Sequence, residues 1–466
     1  MLRILIILFL GVSIVGFGQS SEKYNSVYAD FYRAEELFQK QQYGSARKEF
    51  RGFVNKLNQP NDPMYIKALY YEGVAALELY NNDAVDLLKS FIQNYPESIY
   101  KHMVFFKLGN HYYRSKDYKE ALVYYARLTA NDIDKDLRNE YYFKVGYSNF
   151  QEGKLDAAKL AFLEVKDTDS QYANPSLYYF SHISYTEKSY QIALDGFLKL
   201  EEDESFGKVV PYYIIQIYYL QGKYEEVTQY APKLTNATIV NEKDVKHLIG
   251  EAYYRTGKYD EAVEHLEAYD KLAETTRDED YQLGYSYYKS GLYDKAVKMF
   301  DRVTKGYKDS LSQVSFYHIG ECYLAMKNNL SARSAFEKAS EIDSADLKLQ
   351  EDALYQFAVL SYKVDVNPYN EAILAFEKYL NNYPNSKRKE DVYQYLVNVY
   401  TSTNNYEKAL ESLDRVENKD FTLRKVYQLI AYNHGVELFQ KEKYNEAIAT
   451  FKLVDKYPIN PELKAK

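Results

Sequence analysis

Residues 250–266 read GEAYYRTGKYDEAVEHL. Apolar and aromatic residues recur at intervals of three and four on both sides of Thr256-Gly257-Lys258, which is the spacing of two amphipathic helices separated by a break. Glycine takes the left-handed backbone that ends a helix, so the stretch predicts a helical hairpin. The second arm opens with the pattern Tyr259, Ala262, Leu266, and the small residue Gly250 stands nine positions before Tyr259. A small residue there lets the facing helix approach closely.

The same tetrad recurs along the whole chain. It appears at Tyr43/Ala46/Phe50, Tyr118/Ala121/Tyr125, Leu155/Ala158/Phe162, Tyr190/Ala193/Phe197, Tyr293/Ala296/Phe300, Tyr369/Ala372/Phe376, Tyr406/Ala409/Leu413 and Tyr444/Ala447/Phe451, with weaker copies from Asn81, Tyr224 and Asn329. Twelve copies follow one another at intervals of 34 to 40 residues. Ala34, Gly109, Gly146, Ser181, Gly284, Gly320 and Gly435 repeat the small residue nine places upstream. A regular period of this size identifies an array of identical supersecondary units.

The pattern resembles the tetratricopeptide repeat. The resemblance covers nearly all of the chain and implies an all-α fold, a right-handed superhelical solenoid of about twelve helix-turn-helix hairpins. The family's late alanine is replaced by larger residues such as Phe91, Leu128, Val165 and Tyr379. Its helix-ending proline survives clearly only at Pro96 and Pro384, in the phrases Asn-Tyr-Pro-Glu-Ser and Asn-Tyr-Pro-Asn-Ser. At these joints proline stops the second helix, and Ser98 or Ser386 is placed to cap the next first helix. The joint is similar to that of bacterial envelope repeat proteins such as the TolA-binding protein and the outer-membrane assembly lipoprotein of the barrel-insertion machine.

Composition restricts the functional classes. The 466 residues are 46% hydrophobic with only 19 Gly and 10 Pro, enough apolar material for a folded chain. The net charge of -8 and the lack of long basic runs argue against nucleic acid. Met1-Leu2-Arg3, an apolar run from Ile4 to Val15 and Gly16-Phe17-Gly18 read as a secretory signal peptide, residues 1–18, cut before Gln19. The run is too short to span a membrane, so no span is expected after cleavage. The array is then expected over residues 19–466, in the periplasm. The single cysteine, Cys322, excludes an internal disulfide and a thiolate metal site. The closing Ile-Asn-Pro-Glu-Leu-Lys-Ala-Lys reads as the start of a further first helix, which suggests a longer protein or an end covered by a partner.

No phosphate loop, dinucleotide fingerprint, zinc-protease or serine-hydrolase signature is present, and the seven histidines are scattered over separate repeats. His102 and His111 share a repeat but lie nine residues apart and face different neighbours. Neither a cofactor nor a catalytic role is expected.

By resemblance to the family, the first helix of each hairpin lines a concave surface, with the residues twelve and five positions before the tetrad facing it. In the six central copies these are Phe106, Tyr113, Phe143, Phe150, Tyr178, Tyr185, Tyr212, Tyr219, His247, Tyr254, Tyr281 and Tyr288, to which Tyr147 and Tyr285 add one turn on. Eleven of the first twelve are Tyr or Phe, where the 17% aromatic average gives about two. Asn110, Arg114, His182, Gln216 and Glu251 share this face. In the doublets Tyr112-Tyr113, Tyr218-Tyr219, Tyr253-Tyr254 and Tyr287-Tyr288 the first ring is placed to pack between helices and the second to face the groove. The competing reading makes all these rings core. A tyrosine-lined groove offers rigid contact area with hydroxyls, which suits an extended peptide, a partner helix or a glycan. Asn110 and Arg114 resemble part of the family's carboxylate clamp, but its lysines are missing and C-terminal carboxylate recognition is not expected.

Overall fold

The computed structural model describes residues 28–236, 241–343, 346–364, 371–402 and 405–465. The expected signal peptide, Tyr369 and Lys466 lie outside the described residues. The described chain is built of α-helices joined by short turns, with three brief 3-10 segments and no strand. Among the described residues no helix is long and apolar enough to cross a membrane. The chain divides into two compact units between Ile217 and Tyr218, inside the helix Val210–Leu220.

The tetrads set the register. Tyr43, Tyr118, Leu155, Tyr190, Tyr224, Tyr259, Tyr293, Asn329, Tyr406 and Tyr444 are each the first residue of a helix. At Asn81 the helix begins three residues later, at Ala84. First helices pack on their own second helices, as Lys101–Arg114 does on Tyr118–Tyr125, and first helices of successive repeats also touch, as Lys101–Arg114 and Lys135–Gln151 do. A lone hairpin cannot bury its apolar faces, so the stacking of neighbours supplies the core.

The upstream small residues lie where the helices come closest. A Cβ on Gly109 would fall 2.4 Å from the Tyr125 ring, and one on Gly320 2.7 Å from Phe336. Ser181 departs from glycine, and the facing helix compensates. Gly196 leaves the space that the serine occupies, and a Cβ there would meet Ser181 Oγ at 1.9 Å and its Cβ at 3.2 Å. Ser181 Oγ is buried with no hydrogen-bond partner. Gly196→Ala is therefore expected to cost about 1–3 kcal/mol by overpacking. Most of that loss should return in a Ser181→Ala background, because the removed hydroxyl makes no bond there. Urea unfolding of the two single variants and the double checks this; a gain of about 1 kcal/mol from Gly196→Ala alone, as for an open helical glycine, would contradict the close approach.

Gly222 and Gly257 end their first helices with φ of 70° and 75°, as their turn sequences predict. Gln41, Lys116, Lys188, Lys327 and Glu442 adopt the same left-handed conformation without being glycine, with φ between 57° and 62°. The hydrogen bonds that close the hairpin, such as Lys188 N to Tyr185 O at 2.9 Å and Ser189 N to Ser184 O at 2.8 Å, hold the backbone there. The proline joints end their helices at Asn94 and Asn382. The serines differ from the sequence expectation. Ser98 Oγ accepts from Tyr100 N at 3.2 Å and Ser386 Oγ from Arg388 N at 3.1 Å, so each fixes the turn before the helix and does not cap it. Cys322 is fully buried, and burial pushes its thiol up to about 12.

Candidate functional site

In the first unit the aromatic positions of four successive first helices form a continuous ladder of rings. Tyr113 meets Tyr147 with centroids 5.8 Å apart, and Tyr118 meets Tyr147 at 5.7 Å. Tyr147 packs on Tyr179 at 5.2 Å, and Phe150 on Tyr179 at 5.1 Å and on His182 at 5.8 Å. The ladder continues from His182 to Tyr213 at 5.5 Å, with Tyr185 and Tyr212 each 5.5 Å from Tyr213. Tyr178 lies against His182 at 6.2 Å and stacks on Phe206 at 4.7 Å, and Phe143 stacks on Tyr147 at 6.1 Å. Apart from Phe106, these residues are half-buried.

Phe106 is a correction. It is only 2% exposed, inside the apolar cluster that runs from Tyr70 to Tyr141, and contributes no groove surface.

The polar residues of this face are already engaged, except for the Nδ1 of His182. Asn110 donates to Glu140 at 3.1 Å and accepts from the Tyr125 hydroxyl at 2.7 Å. Lys144 bonds the same Glu140 oxygen at 2.5 Å and lies 5.4 Å over the Tyr113 ring. Arg114 stacks on Tyr80 at 5.0 Å and donates to its hydroxyl at 3.3 Å. With Asn110 tied to a carboxylate and Arg114 turned to Tyr80, the pair is not arranged as an acid clamp. Gln216 accepts from the Tyr185 hydroxyl at 2.8 Å. His182 Nδ1 is buried without a partner, and desolvation holds the imidazole below its ordinary pKa, hence neutral at physiological pH.

The second unit carries its own ladder. Tyr254 meets Tyr259 at 6.1 Å and Tyr285 at 6.0 Å; Tyr285 meets Tyr281 at 6.0 Å and Tyr288 at 5.9 Å. His318 sits among Tyr285 and Tyr288, both at 5.2 Å, with Nδ1 2.7 Å from Glu321. Lys289 lies over Tyr285 and Tyr288 at 5.2 and 5.3 Å. Near Tyr219 the face turns polar. Its hydroxyl donates to the buried carboxylate of Glu251, which also accepts from Arg255 Nε at 2.7 Å. His247 Nε2 is 3.1 Å from Glu279, and its ring stacks on Tyr269 at 4.7 Å.

Burial raises the pKa of Tyr113, Tyr179, Tyr213, Tyr219, Tyr254 and Tyr281 above the ordinary phenol value, and neighbouring tyrosines add to it. Their hydroxyls therefore stay protonated and serve as neutral donors. In the doublets the first ring packs between helices, Tyr112 stacking on Tyr124 at 5.4 Å and Tyr253 on His265 at 5.5 Å. Sequence reasoning passed over Tyr118, Tyr179, Tyr213, Tyr259 and His318. The first four were legible: Tyr179 and Tyr213 close the doublets Tyr178-Tyr179 and Tyr212-Tyr213, and Tyr118 and Tyr259 are tetrad tyrosines.

Three family models, each described as tetratricopeptide repeat, match this chain: one at residues 106–173, one at 67–98, 280–310 and 352–386, and one at 244–276 and 314–346. The chain is a tetratricopeptide-repeat (TPR) protein. The repeats imply a scaffold for protein–protein interaction, and TPR proteins are typically non-enzymatic. Among solved structures, the C-terminal part of a TPR repeat-containing protein from Cytophaga hutchinsonii is similar at 17% identity, over 53% of this chain and 98% of that one, with a TM-score of 0.34. YrrB, a TPR protein with an unusual peptide-binding site, is similar at 21% identity over 42% and 98%, with a TM-score of 0.34. A tetratricopeptide repeat protein from Parabacteroides merdae is similar at 14% identity over 55% and 98%, with a TM-score of 0.29. No curated protein matches.

Proposed function

We propose that this TPR protein is a non-enzymatic, exported scaffold of a bacterial cell envelope that holds extended segments of partner proteins against its tyrosine ladders. The ladders carry the reading: half-buried rings in series, each unit with its own, present protonated hydroxyls on a rigid support. Tyrosine binds in this way because its ring gives contact area at low conformational cost while its hydroxyl gives direction. The expected leader at residues 1–18 and the lack of an internal disulfide fit a periplasmic protein. The ladder rings are packed on one another and do not stand free as sugar platforms, which favours a peptide over a glycan.

The test is an affinity pulldown from envelope extract with the chain from Gln19, beside a Tyr113→Ala/Tyr185→Ala/Tyr254→Ala variant. Partners should be lost from the variant by at least about tenfold, the effect of removing a single interface hot spot, while helicity is kept. An unchanged partner list would move the binding surface elsewhere. Titration with peptidoglycan fragments forms the second arm, and saturation lost only in the variant would replace the peptide by a glycan. Mass analysis of the protein from its native source checks export, since an intact Met1 end would refute it.

A further inference from the structure

Of the seven central repeats, with tetrads starting from residue 118 to residue 329, five carry a ring six residues before the tetrad, where it fills a slot between helices. Tyr112, Tyr218, Tyr253, Tyr287 and Tyr323 occupy this position. A lysine commonly covers the ring: Lys89 lies 5.9 Å from the Tyr112 centroid, Lys258 5.9 Å from Tyr253 and Lys295 5.1 Å from Tyr287. Two central repeats lack the ring and have Asn149 and Ser184 in its place. At Ser184 the loss is made good one turn earlier by Phe180, which lies beneath Lys159 and Lys166 at 5.5 and 5.3 Å. At Asn149 the residue one turn earlier is Val145, so neither of these two positions carries a ring, and the nearest tyrosines, Tyr125 and Tyr141, stand in the wall of the space left open.

An open cavity of ≈ 490 Å³ results. Val123, Ala126, Val145 and Asn149 line it together with Lys119 and Lys154. Val123 is 44% exposed, so the apolar wall is open to solvent. Asn149 Nδ2 donates to the Val145 carbonyl at 2.9 Å, which leaves Oδ1 to accept from an incoming hydroxyl. Lys154 immediately precedes its tetrad, as Lys258 does, but no ring lies beneath it. Neither Lys119 nor Lys154 has a hydrogen-bond or ion-pair partner among the described residues.

We infer that this cavity is a second docking site, for a tyrosine side chain on an acidic segment of a partner protein. The partner supplies from outside the ring that five of the central repeats supply from within. The ring fills the apolar slot under Lys154 as a cation–π partner, and flanking carboxylates pair with Lys119 and Lys154. Two free cations around an apolar slot choose an acidic segment over a basic one. The site shares no residue with the ladders and stands or falls apart from them.

The probe is the peptide acetyl-Glu-Asp-Tyr-Glu-Asp-amide, titrated calorimetrically into the chain from Gln19. Saturation is expected with a Kd of about 1 mM or below, and none when alanine replaces the probe's tyrosine. Asn149→Tyr fills the slot from within and should raise the Tm while weakening the probe at least about tenfold. Lys119→Glu/Lys154→Glu should weaken it as much with the Tm unchanged, and decides the matter if Asn149→Tyr does not fold. The proposal is overturned by the absence of saturation up to about 5 mM, by equal binding of the alanine peptide, or by a lysine variant that binds like the wild type.

Discussion

Raising the pH above about 10 is expected to unfold this protein steeply, because its buried tyrosines hold protons that the unfolded chain releases. Burial raises the pKa of Tyr70, Tyr125 and Tyr400, which are 7%, 1% and 0% exposed, above the ordinary value. The folded state thus binds more protons than the unfolded state once the pH passes the unfolded pKa. Stability is complete below about 10 and falls as the pH climbs from there toward the folded values. Each such tyrosine contributes about 1.4 kcal/mol per pH unit, so these three alone give a slope of about 4 kcal/mol per pH unit. Against a typical stability of about 5–15 kcal/mol, helicity should collapse within a few pH units. The half-buried ladder tyrosines steepen the fall further. Circular dichroism and tyrosinate absorbance recorded together test this. The absorbance of the buried fraction should rise only as helicity is lost; full ionisation near 10 with helices intact would mean that the rings are open to water.

How much of this was legible in the sequence depends on what each residue answers to. The hairpin register was legible because the tetrad residues obey local rules: an aromatic opens the helix, Ala262 and its counterparts fit the narrow gap, and Gly109 or Gly320 accepts the facing ring without a Cβ. The turns were partly legible. Glycine announced the left-handed residue at Gly222 and Gly257, but Lys116 and Lys188 adopt the same conformation without announcing it, because the surrounding hydrogen bonds impose it. The groove positions were legible as a stripe but not as contacts. Phe106 and Tyr113 stand seven residues apart on one helix face, yet one is core and the other half-buried, and that difference is set by the neighbouring repeat. The engagement of Asn110 by Glu140, thirty residues on, and of Glu251 by Tyr219 was likewise hidden, since each bond joins residues from different repeats. The cavity at Asn149 was present in the sequence as a missing doublet. Only the structure shows that Phe180 repairs the similar gap at Ser184 while Val145 leaves this one open.

A carboxylate in the second unit is expected to carry the largest single-residue effect on stability. Glu377, on the helix Glu371–Asn382, is 3% exposed. It accepts from Ser412 Oγ, from Arg415 Nε at 2.6 Å and from the Tyr400 hydroxyl at 3.3 Å. These donors lie on the helices Tyr406–Arg415 and Lys389–Ser402, so one side chain ties three helices together. Glu377→Ala takes the acceptor from the buried Tyr400 hydroxyl and leaves the guanidinium without its carboxylate, while Ser412 Oγ keeps only the bond it accepts from Arg415 at 2.8 Å. Breaking a buried ion pair costs about 3–5 kcal/mol, but Arg415 is half-exposed and can turn to water, so a loss of about 2–4 kcal/mol is expected. Arg415→Leu should cost a similar amount for the opposite reason, since it strands a carboxylate that water does not reach. Glu377→Leu/Arg415→Leu should then be less damaging than the sum of its singles, because an apolar pair leaves no charge behind. Urea unfolding of this set decides between a clasp and a spectator. If Glu377→Ala lies within about 0.5 kcal/mol of the wild type, as surface substitutions do, the three helices are held by their apolar faces alone.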